Sequence, residues 1–281
     1  MSHVLVIPKS DADEIVIDDN AFTDSFVRIL SNLEDSRVSA EIFSNPTSQE
    51  GGFKLPSAEG AIMASDGDIY AHCLSAVILV GSIYQCGKCS KWHSRGFAGG
   101  WIASAEGHIV TNYHVLDAKK NDRIGIMMFD GRVFPVKSVC ALDEVSDSAI
   151  LKIDAASEPL PFLGLGSGVR PGDSVSILSH PSGRLWYLTK GVVARFSRRV
   201  SEKGSSIWMN VTADYAVGSS GCPVLNETGE VVGMVSTTTT LYTQPRPNMK
   251  VGDPQMVVRE CVSLSEIRDL LSEKPPPRSS K

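Results

Sequence analysis

Between Tyr70 and Val262 the chain is cut into short apolar and β-branched runs, each stopped within a few residues by Gly, Asp, Asn, Ser or Pro. The runs include AVILVGSIY, GGWIA, GHIVTNY, RIGIMMF, FPVKSVCAL, SAILKI, DSVSIL, WYLTKGVVARF, SIWMNV and EVVGMVST. Segments this short, at this spacing, predict an all-β sandwich or barrel. Helical patterns do not alternate with them, so a parallel sheet built from strand–helix–strand units is not expected. Leu74 to Ile83, the longest apolar run, contains Ser75, Gly81 and Ser82 and is too short to cross a bilayer, so it is expected as a buried strand.

The flanks differ. Residues 1–44 hold a short apolar strand, Val4 to Ile7, an acidic stretch, and a helix expected from about Ala21 to Leu33. Phe22, Phe26, Ile29, Leu30 and Leu33 share one face of that helix, and Asn20 is its candidate N-cap. Residues 45–68, rich in Ser, Gly, Pro and Glu, have the composition of a linker. Leu264 to Leu271 predicts a C-terminal helix with Leu264, Ile267, Leu270 and Leu271 as its apolar face, and the Pro-rich end 273–281 a disordered tail.

With 27 basic and 32 acidic residues the net charge is −5, which gives no reason to expect nucleic acid or an anionic membrane as a partner. The N-terminus lacks the basic start and apolar core of a signal peptide, so the expectation is cytoplasmic by default, or exported if the chain is trimmed. Six cysteines are too few for a disulfide scaffold.

Three segments carry the parts of hydroxyl-based acyl chemistry: a nucleophile, a base, and an anion to orient the base. Ser220 lies in Gly218-Ser219-Ser220-Gly221-Cys222-Pro223-Val224, where glycines permit a tight turn. The N–H groups of Gly218 and Ser220 are then candidate oxyanion donors. His114, at the end of the apolar run Ile109–Val115, is the candidate base, and Asp147, opening Asp147–Ile153, is the candidate orienting acid. Each alone has an ordinary structural explanation as a turn, core or cap residue. Together they stand in the order His, Asp, Ser, which belongs to chymotrypsin-type barrels and not to subtilisins or α/β-hydrolases.

At these residues the chain resembles a known family. TNYHV, DSAILKID and GSSGCPV, with SHPSGRLWYLTKGVVARF between the second and third, are similar to the trypsin-like serine peptidases of bacterial, DegP/HtrA type. The resemblance covers about Tyr70 to Leu271. It implies two antiparallel six-stranded β-barrels, at about 70–155 and 163–262, with the site between them, a peptidase domain over 70–272 and a small N-terminal extension over 1–69. It also implies a protein or peptide substrate, peptide-bond hydrolysis through an acyl-enzyme, and no cofactor for catalysis. Departures from the pattern are Ser219, where digestive trypsins carry an acid, Cys222, where Gly or Ser is usual, the lack of an Ile-Val-Gly-Gly activation site, and no length for a PDZ domain. Asp214, six residues before Ser220, stands where trypsin selects Lys or Arg, although relatives often carry an acid there that does not line the pocket. Ser236, Thr237 and Thr238 are expected to form the pocket wall and bind substrate backbone. Glycines 99, 100 and 107 are expected to serve turns.

Cys86-Gly-Lys-Cys89 with His93 forms a second cluster, a zinc half-site by spacing, with His72 or Cys73 as the fourth ligand if the intervening strand doubled back. A disulfide, a redox pair and free thiols are the alternatives. For the whole protein the alternatives to an active peptidase are a catalytically silent binding module on the same fold and a zinc- or redox-regulated switch built on this cluster.

Overall fold

Each of these β-type runs becomes a strand, and the strands close in two sixes. The computed structural model describes residues 15–33, 65–116, 123–155, 159–245 and 250–271. The first barrel contains β1 (Val77–Gln85), β2 (Trp92–Ile102), β3 (His108–Thr111), β4 (Arg123–Met127), β5 (Val133–Asp143) and β6 (Ser148–Ile153), closed in the order β1-β2-β3-β6-β5-β4. The second contains β7 (Ser174–Ser179), β8 (Tyr187–Ser201), β9 (Gly204–Val211), β10 (Pro223–Leu225), β11 (Val231–Tyr242) and β12 (Pro254–Ser263), closed in the order β10-β11-β12-β9-β8-β7. All pairings between these strands are antiparallel, as the all-β two-barrel expectation required.

Inward positions fill each barrel. Ile78, Val80, Ile102, Ile109, Ile124 and Ile126 cluster in the first, and Val175, Ile177, Val193, Met209, Val224 and Val235 in the second. A third cluster draws on both barrels and on three helices: α1 (Asp19–Asn32), α2 (Asp66–Leu74) and α3 (Leu264–Leu271). It joins Leu79 and Trp101 of the first barrel to Leu178, Leu225 and Met234 of the second, which fixes the two halves of the cleft against each other.

Helix α1 is part of this packing. Phe22, Phe26 and Leu30 are all but fully buried, each contributing about 1.5–3 kcal/mol of apolar burial. The helix begins two residues earlier than expected and its N-cap is Asp18, whose Oδ1 accepts the Ala21 N–H at 2.9 Å; Asn20 lies inside the first turn. Its last turn carries no basic residue of its own. Arg123 of β4 supplies one, donating Nη1 to the carbonyls of Leu30, Ser31 and Leu33 at 3.0, 2.5 and 3.1 Å.

Helix α2 corrects the linker expectation at its C-terminal edge. Ser65 accepts the Asp68 N–H and donates its hydroxyl to the Asp68 carboxylate, a reciprocal cap that starts the helix inside the stretch expected as linker. Helix α3 forms where expected, with Leu264 and Ile267 buried. The expected strand Val4–Ile7, the rest of the 45–68 linker and the 273–281 tail lie outside the described residues. Among the described residues no helix is long and apolar enough to cross a membrane.

Gly99 and Gly100 do not serve turns. Both lie inside β2, where a Cβ at 99 would stand 1.9 Å from Cys222 Sγ and one at 100 would stand 2.8 Å from the Val110 carbonyl. The pair is required by close approach of neighbouring chain, whereas Gly107 does occupy a turn, at φ +91°.

Candidate active site

Strand pairing brings His114 and Asp147 together. β3 ends at Thr111, which pairs with Ala149 of β6, so the segments leaving these strands on the same side are neighbours. His114 sits in a short 3-10 turn, Tyr113–Leu116, just past β3; Asp147 ends the turn that enters β6. Fully buried Asn112 ties the two, donating Nδ2 to the Asp147 carbonyl at 2.9 Å.

Asp147 holds φ +55°, a left-handed conformation uncommon for a residue with a side chain. Its carboxylate engages three donor groups. Oδ1 accepts the His114 backbone N–H at 3.0 Å, Oδ2 accepts His114 Nδ1 at 2.8 Å, and Oδ2 also accepts the Ser236 hydroxyl at 2.6 Å. These contacts compensate the backbone strain. They also require Nδ1 to carry the imidazole proton, which leaves the Nε2 lone pair free.

Ser220 comes from the second barrel, in the loop before β10. Gly218 and Gly221 hold φ +96° and +85°, and a Cβ on them would meet the His180 carbonyl at 2.6 Å and the Gly99 carbonyl at 2.2 Å. The loop is pinned from both barrels. Gly99 of β2 donates its N–H to the Ser220 carbonyl at 2.7 Å, and Gly221 donates to Val235 at 2.9 Å. Among the described residues the Gly218 and Ser220 N–H groups donate to no protein acceptor. Ser219 is fully buried and donates its hydroxyl to Ser179 Oγ at 3.1 Å, so its site is filled by a neutral pair.

The Ser220 hydroxyl donates to the Ser236 carbonyl at 3.0 Å, and no hydrogen bond joins it to His114. His114, Asp147, Ser220, Ser236, Thr237 and Thr238 nevertheless line a single cleft, bounded below by Tyr215. Sequence reasoning missed the double role of Ser236. Its side chain anchors Asp147 and its carbonyl engages Ser220, so it is a positioning residue as well as a wall. Tyr215, 7% exposed, donates its hydroxyl to the Thr237 carbonyl at 2.8 Å and supports that wall from beneath.

Asp214 does not line the cleft. Its side chain is 74% exposed and pairs with the guanidinium of Arg259 on β12, while its carbonyl accepts the Thr189 hydroxyl at 2.7 Å. As a candidate substrate-binding residue it is therefore corrected: its charge is already matched by a strand neighbour of the second barrel.

The other cluster stands apart, at the outer end of the β1–β2 hairpin. Cys86, Cys89 and His93 place their donor atoms within 4.8 Å of one another, and Cys89 Sγ lies 3.1 Å from His93 Nε2. Backbone N–H groups of Cys89 and Lys88 hold the Cys86 thiol below its ordinary value, with a further contribution from the Cys89 thiol. His72 and Cys73 do not join them. β1 runs extended from Val77 to Gln85 and does not double back, and the pair packs instead on the turn at Gly229 in the second barrel. All the described cysteines, Cys86 and Cys89 included, are free thiols.

Two closed six-stranded barrels, with a His–Asp pair from one facing a serine loop from the other, define the class. Residues 98–234 match the family described as trypsin-like peptidase domain. Its relatives include a protein named "Probable periplasmic serine endoprotease DegP-like" from Hahella chejuensis, 33% identical over 137 residues, which are 49% of this chain and 29% of that protein. Another is the mitochondrial serine protease HTRA2 of Drosophila pseudoobscura pseudoobscura, 31% identical over 141 residues, 49% of this chain and 33% of the relative. The chloroplastic Protease Do-like 1 of Arabidopsis thaliana is 31% identical over 165 residues, 56% and 36% respectively. The chain thus spans about a third of the length of the curated relatives it matches.

Proposed function

We propose that this protein is a serine endopeptidase in which Ser220 attacks the scissile carbonyl. His114 accepts the hydroxyl proton on Nε2 and returns it to the leaving amine. Asp147 keeps the imidazole in the tautomer that can do so and stabilises the imidazolium that forms. The Gly218 and Ser220 N–H groups receive the charge that develops on the carbonyl oxygen. Before attack, the Ser220 hydroxyl must leave the Ser236 carbonyl and turn to His114, a rearrangement commonly completed only when substrate is bound.

The substrate class follows from the wall of the cleft. β10 pairs with β11 only as far as Met234, which leaves the following residues, Ser236 to Thr238, without a strand partner on the cleft side. An extended peptide can add there as a further antiparallel strand, bound by its backbone. None of these steps requires a metal or an organic cofactor.

The observation that carries the reading is the fixed His114–Asp147 pair facing the same cleft as Ser220, beside two uncommitted N–H donors. A fluorophosphonate probe tests it. Wild type is expected to be labelled on Ser220, and Ser220→Ala to remain unlabelled and to lose hydrolysis of a casein or peptide-library substrate. Equal labelling of both proteins would remove Ser220 from its role, and an unlabelled wild type would favour a silent binding module on the same fold.

A further inference from the structure

The geometry points to a zinc-class metal site at the outer end of the β1–β2 hairpin, built from Cys86 Sγ, Cys89 Sγ and His93 Nε2, with one coordination position open. The donor atoms already converge. In a tetrahedral zinc site with Zn–S near 2.3 Å and Zn–N near 2.0–2.1 Å, donors stand roughly 3.5–3.8 Å apart. Here all three lie within 4.8 Å, and the Cys89–His93 pair is 3.1 Å apart, so side-chain adjustments of about an ångström suffice.

The backbone holds the ligands in place. Cys86 N–H donates to the Lys91 carbonyl and Ser90 N–H to the Cys86 carbonyl, both at 2.8 Å, closing the Cys-x-x-Cys loop on itself. Ser90 takes φ +56° to complete the turn. His93 is fixed differently, as a strand residue of β2 paired with Tyr84, whose ring packs against the imidazole at a centroid distance of 5.7 Å. Two ligands thus come from a closed loop and one from a regular strand, so a bound metal would tie the loop to the strand.

The donor set selects the metal. Two thiolates and an imidazole suit zinc and its softer neighbours, whereas magnesium and calcium require oxygen donors, and the cluster contains none. Three protein ligands leave a fourth position for water or an external donor. All three residues are exposed or half-exposed, which makes the site accessible to exchange. Its place in the fold gives it leverage on the active site: β2 runs inward from His93 to Gly99, the residue whose N–H holds the Ser220 carbonyl. The role is structural, since the cluster does not line the catalytic cleft.

The test uses the full chain, reduced and freed of metal, titrated with Co2+ and then with Zn2+. One equivalent of Co2+ should produce thiolate-to-metal charge-transfer absorbance, displaced by one equivalent of Zn2+. Cys86→Ser and Cys89→Ser should each weaken Zn2+ binding at least tenfold and reduce the absorbance, His93→Gln should weaken binding while keeping the thiolate band, and Cys140→Ser should change nothing. Zn2+ should also slow amide exchange at residues 84–93. The residues lie at an exposed hairpin end, so metal-free unfolding temperatures should match wild type and separate ligand loss from misfolding. Binding no tighter than that of the Cys86→Ser/Cys89→Ser double variant would overturn the proposal, as would a full Co2+ band in that variant. Fluorophosphonate labelling of Ser220 is independent of either result.

Discussion

Ser236 donates its hydroxyl to Asp147 Oδ2 at 2.6 Å across 89 residues of sequence, and this contact joins the second barrel to the acid of the first. The backbone carbonyl of the same residue accepts the Ser220 hydroxyl, so one residue of β11 touches two of the three proposed catalytic groups.

Ser236→Ala is therefore expected to lower kcat/KM by about 10- to 100-fold, the loss of one hydrogen bond to a charged group, without abolishing activity. KM should change little, because the substrate-facing backbone of Ser236 remains. Ser236→Thr, which keeps a hydroxyl, should recover part of the loss. Steady-state kinetics on one peptide substrate check this, and an alanine variant as active as wild type would separate Ser236 from Asp147 function.

The contrast between what was legible and what was not follows sequence distance. TNYHV and GSSGCPV carry their meaning locally: a histidine just past a buried strand, and a serine held between glycines whose positive φ can be inferred from the residue type. Ser236 could be placed on the wall but not against Asp147, because nothing in STTTT encodes a partner in the other barrel. The two glycines at 99 and 100 looked like a turn for the same reason. The groups that exclude their side chains, Cys222 and the Val110 carbonyl, belong to other strands and loops. Ser65 and Asp68 did carry a local capping signal, hidden by the Gly- and Ser-rich composition around it. Asp214 is suggested by the resemblance to trypsin at that spacing, and the resemblance does not report that Arg259 stands beside it.

Gly99 and Cys222 give a direct test of packing at the Ser220 loop. A methyl at 99 would stand 1.9 Å from Cys222 Sγ and 3.3 Å from its Cβ. Gly99→Ala should destabilise the protein by roughly 1–3 kcal/mol or more, and should impair activity because the Gly99 N–H also holds Ser220. Adding Cys222→Gly removes both Cys222 atoms, the nearer of them the severe clash, and leaves His180 Cδ2 at 3.3 Å as the remaining close neighbour. Urea unfolding of the two single variants and the double should reveal a favourable coupling of more than half the Gly99→Ala cost. Strict additivity would count against this contact as the source.

His180 sets an acid limit to stability. It is fully buried, with Nε2–H donating to the Ile78 carbonyl at 3.1 Å and Nδ1 accepting the Trp186 N–H at 3.1 Å. Burial pushes its pKa down to about 4, only partly opposed by the Ile78 bond. Between that value and the ordinary 6.5 the unfolded chain binds the proton more readily than the folded one. Stability is therefore full above about pH 6.5 and is lost as pH falls toward 4, by up to ~3 kcal/mol for this residue. Urea midpoints measured from pH 7.5 to 4 should fall over that window. His180→Gln, which has both a donor and an acceptor but no titration, should show a shallower decline even if its midpoint at pH 7.5 is lower.

Asp214 decides whether this cleft selects basic residues by charge. A carboxylate facing a bound Lys or Arg in a partly dry pocket would be worth about 1.5–3 kcal/mol, or roughly ten- to a hundredfold in discrimination. The geometry opposes that role. The Asp214 side chain is 74% exposed, it is paired with Arg259, and it lies outside the cleft lining. Recruiting it for substrate would require breaking that pair and turning the carboxylate inward, which would leave a guanidinium that is only 20% exposed without its carboxylate. Asp214→Asn is thus expected to change the ratio of kcat/KM between matched Arg and Leu peptides by less than about threefold, and to cost stability of up to about 1 kcal/mol, the range of an exposed ion pair. Arg259→Gln should produce a similar small loss, with the two effects non-additive because they remove the same contact. An Arg preference of tenfold or more that collapses in Asp214→Asn would show that substrate outcompetes Arg259 for this carboxylate.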